Sequence, residues 1–178
     1  MAEEPIGASP LTTFLETTHK ASSHSPEYQN LALQVQHNLQ YQHRWTHLTL
    51  HTHSPLTSLP LPRPLLSGLP PKRLYVHPDE QIALLKAHKA AGGDGELNMS
   101  PEREWVLPTH LRESWSLKKM ANVFDSVDAI PQGEGQDEAG RDGGKWRKTK
   151  RVLLATLDDD STITYYIVHD GLVKPRQN

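Results

Sequence analysis

Residues 158–178, DDDSTITYYIVHDGLVKPRQN, carry groups that could perform acid–base chemistry: Tyr165 or Tyr166, His169 and Lys174. A metal-free cut in RNA needs a base for the 2'-hydroxyl proton, an acid for the leaving oxygen and a cation for the phosphorane, and these residue types suit those roles. Their spacing does not. On a strand rising roughly 3.3 Å per residue, Tyr165 and His169 share a face but stand about 13 Å apart, and Tyr166 points the other way. The triplet Asp158, Asp159 and Asp160 lacks the alternating oxygen ligands and sharp-turn glycine of a calcium loop, so it reads as a turn.

Two other clusters have chemical potential. His37, His43, His47, His51 and His53 fall close together, and His51 with His53 would share a strand face as many zinc ligands do. No Cys, Asp or Glu lies between His37 and His53, so surface histidine is the simpler reading and no metal site is assigned. KWRKTKR sets Lys145, Arg147, Lys148, Lys150 and Arg151 around Trp146, a composition suited to phosphate contact with base stacking. Its structural alternatives are a solvated loop end leading into a strand, or a nuclear-import patch. A formal net charge of -2 argues against a free-standing nucleic-acid binder and leaves an auxiliary RNA contact as the functional reading. Neither a G-x-S-x-G elbow nor a glycine-rich phosphate loop is present.

The elements that would position these residues follow from periodicity. The 178 residues suit one domain, and 35% hydrophobic content with 14 Pro and 11 Gly predicts a compact core with wide loop margins. The absence of Cys removes disulfides and thiolate chemistry, and the lack of an 18-residue apolar run predicts no membrane insertion. Residues 1–24 read as a flexible leader and 25–178 as the folded unit, with mobile loops near 91–100 and 131–145. Ser25, Pro26 and Glu27 open a helix whose apolar face is Tyr28, Leu31, Ala32, Val35 and Leu39. A strand is predicted at 45–52. The stretch from 54 to 71 contains 6 of the 14 prolines and reads as a connection, with at most an edge strand near Leu65.

Residues 73–77 read as a short strand running into a helix that begins at Pro78, turns Ile82 and Leu85 inward and stops at AAGGDG. REWVLP reads as a strand closed by Pro108. Ser116 caps a helix with the stripe Leu117, Met120, Ala121, Phe124 and Val127. RVLLATL and STITYYIV form a hairpin turning at Asp158–Asp160. Its second strand shows Ile163, Tyr165 and Ile167 on one face and Thr162, Thr164, Tyr166 and Val168 on the other, so both faces need cover. The order of elements is that of an α+β fold, with helices packed on a mixed sheet.

LALQVQHNLQYQHRW, RLYVHPDEQ, REWVLPTHLRESWSLKKMANVFD and RVLLATLDDDSTITYYIVHDGLVKPRQN resemble the fungal form of the small Sen-fifteen subunit of the tRNA-splicing endonuclease. The resemblance covers most of residues 26–178, and DSTITYY and DGLVKP are its most specific parts. It implies a fold of the tRNA-intron endonuclease type, within a four-subunit enzyme whose active sites, each with Tyr, His and Lys, belong to two other subunits. No matching set stands in this chain, so the resemblance implies a structural subunit with no cofactor, meeting precursor tRNA through the complex. Family members pair through C-terminal strands, which makes Ile163, Tyr165, Tyr166, Ile167 and Val168 the expected interface and a homodimer the expected form of the isolated chain. The nucleus is the expected location, with the mitochondrial outer surface as the alternative.

Overall fold

The computed structural model describes residues 24–93, 99–133, 146–147 and 149–171, together with positions 9, 12 and 13. Most of the expected leader and the centres of both expected loops therefore lie outside the described residues. Eight elements form the described body: α1 (Pro26–Tyr41), β1 (Thr46–His53), β2 (Pro60–Leu69), α2 (Pro78–Ala90), β3 (Glu104–His110), α3 (Leu117–Asp125), β4 (Arg151–Leu157) and β5 (Ile163–His169). The strands make one sheet in the order β1-β2-β3-β4-β5. All neighbours are antiparallel except β3 and β4, which run parallel. The parallel pair needs the long crossover that α3 and the segment after it supply. This is the mixed α+β sheet expected from the order of elements.

Each sheet face has its own helix. On one, Val35 and Leu39 of α1 pack with Trp45, Leu66, Val106, Leu153 and Ala155. On the other, Val123 and Phe124 of α3, with Val127, pack against Leu61, Leu65, Trp105, Leu107 and Val152. Alternation along β3 explains the division, because Trp105 and Leu107 point to one side and Val106 to the other.

Several expected elements differ. The proline-rich stretch is not a connection with an edge strand. It contains β2, which lies between β1 and β3. The prolines are tolerated because β2 meets β3 only at Leu66–Gly68, while Pro60 pairs with His53 alone beyond an irregularity in the β1 ladder. Missing N–H groups at Pro60, Pro62 and Pro64 therefore cost no two-sided ladder. Pro108 does not close β3 either. It sits opposite Ala155, past the last β2–β3 pair, where one backbone edge of the strand has no ladder to lose.

Residues 73–77 form no strand. Arg73 instead pairs with Glu80 and Glu102, and the His77 ring accepts from the Asp79 N–H to cap α2. Ile82 and Leu85 do not face inward; both are exposed, and Glu80 is the buried residue of α2. That helix is fastened by charge rather than by an apolar stripe. It stops as expected, with Gly92 at φ 74 and the Gly92 and Gly93 N–H groups donating to Lys89 and His88.

In α3, Leu117 is 92% exposed and Ala121 is also exposed, so the inward stripe is Met120, Val123, Phe124 and Val127. The Ser116 hydroxyl accepts from the Lys119 N–H as expected of a cap, whereas the Ser25 side chain makes no capping bond.

Candidate functional site

The C-terminal hairpin is built by its turn. The Asp158 N–H donates to the Thr162 carbonyl at 2.9 Å and the Ser161 N–H to the Asp158 carbonyl at 3.0 Å, with Ser161 at φ 69. Asp158 and Asp160 side chains accept from the Asp159 and Thr162 N–H groups. The Thr162 N–H, followed by the Thr162 hydroxyl, holds the Asp160 carboxyl below the ordinary range. Asp159 faces Arg112 and His110, which ties the turn to the end of β3. All three aspartates are thus occupied in shaping or anchoring the turn.

The hairpin register then distributes the side chains of β5. It pairs Leu157 with Ile163 and Arg151 with His169. Ile163 and Tyr165 pack on the α1 face and Val168 on the α3 face. The Tyr165 hydroxyl donates to Asn38 Oδ1 at 2.6 Å, the His43 ring meets the tyrosine edge-on, and burial pushes the phenol pKa above its usual value. Tyr166 remains 57% exposed and Ile167 37% exposed. Because β5 has β4 on one side and no strand neighbour on the other among the described residues, its outer backbone edge is open.

The residues suited to RNA cleavage are not brought together. Tyr165 is tied to α1. His169 lies four positions further along the strand, its ring 4.8 Å from Tyr75 and its Nδ1 buried without a partner. Burial, followed by the positive charge of Arg151, holds the His169 imidazole below its ordinary pKa. Tyr166 faces the opposite side of the strand, and Lys174 lies outside the described residues.

The basic stretch is largely internal where it is described. Arg147 and Arg151 are each 5% exposed. Arg147 Nη2 donates to Glu104 at 2.8 Å, and its Nη1 donates to the Arg103 carbonyl at 2.9 Å. Arg151 Nη2 donates to Glu102 at 2.9 Å and Nε to Glu104 at 3.1 Å, with a further bond from Nη2 to Glu104. Arg73 adds contacts of 2.9 Å to Glu80 and 2.6 Å to Glu102. Three guanidinium groups and three carboxylates thus neutralise one another inside the fold. Arg147 and Arg151, expected as surface cations, are engaged by protein acids instead.

Lys150 Nζ donates to the Phe124 carbonyl at 2.7 Å, and the Trp146 ring is stacked 6.1 Å from His77. Lys145 and Lys148 lie outside the described residues. The sequence reading missed Arg73, Glu80, Glu102 and Glu104. The available signal was the i, i+2 acid pair Glu102 and Glu104 at the start of a strand otherwise made for burial.

The histidines also disperse. His51 Nε2 lies 2.8 Å from Ser67 Oγ and its ring packs edge-on against Trp105; burial and then Arg103 hold its pKa below the ordinary value. His37 packs on Tyr41, His53 meets the Thr52 hydroxyl, and the His47 carbonyl accepts from Arg103. Among the described residues, no three His, Asp or Glu side chains are grouped to hold a metal ion. No described helix is long and apolar enough to cross a membrane.

Comparison with known proteins gives a consistent picture. The family model described as "Sen15 protein" matches residues 34–178. The chain is 44% identical to the Neurospora crassa protein named "Probable tRNA-splicing endonuclease subunit tsp-1", over 98% of this chain and 78% of that one. It is 29% identical to the Schizosaccharomyces pombe "Probable tRNA-splicing endonuclease subunit sen15", over 93% of this chain and 95% of that protein. An Eremothecium gossypii protein named "tRNA-splicing endonuclease subunit SEN15" is 31% identical over 52% of this chain and 63% of its own length.

Proposed function

The chain belongs to the Sen15 family, and from that premise we propose that it is a non-catalytic structural subunit of a tRNA-splicing endonuclease complex. The observation that carries the reading is the 44% identity to a tRNA-splicing endonuclease subunit across 98% of the chain. The geometry supports a structural role. Tyr165 and His169 point to different neighbourhoods, and the tyrosine hydroxyl is spent on Asn38.

The open edge of β5 is the surface through which the chain joins its partner subunit, by strand addition. Ile163, Tyr165 and Val168 hold β5 to its own sheet, while Tyr166 and Ile167, with the unpaired backbone, meet the partner. An edge of this kind also pairs with a second copy when the partner is missing, so the isolated chain forms a homodimer. Precursor tRNA is met through the assembled complex.

Tyr166→Asp tests the interface. The 57% exposed side chain offers about 100 Å² for burial. At about 25 cal/mol per Å² its loss weakens assembly by about 2.5 kcal/mol, close to a hundredfold. The folded chain should change by no more than about 0.5 kcal/mol, because the site is exposed. Co-purification with the remaining subunits and urea unfolding read the two effects separately. Unchanged assembly would remove β5 from the interface. Cleavage of precursor tRNA by the purified chain alone would overturn the non-catalytic assignment.

A further inference from the structure

Arg63 centres a group of side chains toward the end of β3 that lies away from the buried charge cluster. Arg63 is 5% exposed and its guanidinium carbon stands 4.4 Å from the centre of the Tyr28 ring and 5.2 Å from that of Trp115. Its Nη1 donates to both Glu113 carboxylate oxygens, at 2.7 and 2.9 Å. Arg63 Nε, Arg63 Nη2 and Trp115 Nε1 are buried with no acceptor. These three nitrogens lack acceptors and are covered by neighbouring protein atoms, so an acceptor reaches them once a covering ring moves aside.

A cavity of about 230 Å³ adjoins this group, with Lys119 and Asn122 among its lining residues. A second cavity of about 450 Å³ shares Tyr28 and Glu113 with it, and Leu31, Gln34 and Leu157 are among its other lining residues.

We propose that this two-lobed groove binds a polypeptide segment of a partner protein through an acidic side chain. The carboxylate enters the smaller lobe and accepts from Arg63 and Trp115, with Lys119 at the rim. A neighbouring apolar residue fills the larger lobe over Leu31 and Leu157, where Gln34 can bond a peptide group. Tyr28, the more exposed of the two rings on Arg63, turns aside to admit it.

Charge favours a peptide over RNA. The positive Arg63 and Lys119 are offset by Glu27 and Glu113 along the same groove, which leaves no net attraction for a polyanion while the unpartnered donors still demand a local acceptor. The groove lies by α1, α3 and the turn end of the hairpin, so this inference stands independently of the β5 edge.

The test uses the full chain and a panel of acetylated, amidated heptapeptides with a central Glu flanked by apolar residues, followed through the Trp115 indole N–H by nuclear magnetic resonance. A Glu peptide should move that resonance downfield and protect it from exchange. Its Gln counterpart should bind at least tenfold more weakly, and the exposed change Lys119→Glu should weaken the Glu peptide by a similar factor. Arg63→Gln should abolish binding. If that variant does not fold, the Gln peptide and Lys119→Glu still decide the matter. Equal binding of Glu and Gln peptides, an unmoved indole N–H, or preferential occupancy by an oligouridylate would overturn the proposal.

Discussion

Arg147→Met separates the two readings of KWRKTKR. If the residue were a surface cation for RNA, its loss would leave stability almost unchanged. In the structure it belongs to a buried group with Arg73, Arg151, Glu80, Glu102 and Glu104. Removing it leaves two guanidinium groups facing three carboxylates in a site closed to water. Taking one partner from such a set costs about 3–5 kcal/mol, a large share of the roughly 5–15 kcal/mol that holds a domain together.

With a urea slope of about 2 kcal/mol per M, the unfolding midpoint should fall by about 2 M. Buried charges are poorly screened, so the loss should be similar in low salt and near 1 M salt. The pair Arg147→Met with Glu104→Gln restores charge balance and should recover at least about 1 kcal/mol over the sum of the single changes. A stability change under about 0.5 kcal/mol, accompanied by weaker salt-dependent RNA binding, would refute the reasoning.

The corrected stripe of α3 predicts that Phe124→Ala costs about 3–5 kcal/mol in thermal or urea unfolding. Leu117→Ala, at a position 92% exposed, should stay within about 0.5 kcal/mol. Acid should also destabilise the fold through its histidines. The folded pKa values of His51 and His169 lie below the ordinary value near 6.5. The unfolded chain therefore binds more protons as pH falls below that value, and the stability due to these neutral rings is lost downward from there. Urea midpoints between about pH 7.5 and 5.5 should show the fall. His51→Gln, which can keep a bond to Ser67, should flatten it.

How much of this was legible depended on whether neighbours along the chain carried the information. Leu31, Ala32, Val35 and Leu39 of α1, the hairpin with its aspartate turn, the Ser116 cap and the glycine stop of α2 were readable from the local pattern, whereas Tyr28 of the expected α1 face is exposed and Leu33, outside that face, is buried. β2 was not readable. Proline is disfavoured only where a backbone N–H must be given to a neighbour, and which edges of a strand have neighbours is settled by the sheet. Ile82, Leu85 and Leu117 look like core at helical spacing, but spacing cannot show whether a surface exists for them to pack on.

The candidate site divides in the same way. That Tyr165, Tyr166 and His169 could not meet on one strand followed from strand geometry alone, and the resemblance carried by DSTITYY and DGLVKP pointed to the family. That Tyr166 and Ile167 stand on an open edge depended on the order of five strands.

The sequence by itself determined α1, the C-terminal hairpin, the Ser116 cap, the stop of α2, the family and the failure of the C-terminal residues to share a focus, because these depend on short-range geometry and on residue patterns. Only the tertiary structure decided that Arg147 and Arg151 are internal. Their acids, Glu104 and Glu102, come from β3 and from the segment leading into it, and a charge becomes buried or exposed only when distant segments supply or withhold its counter-charge.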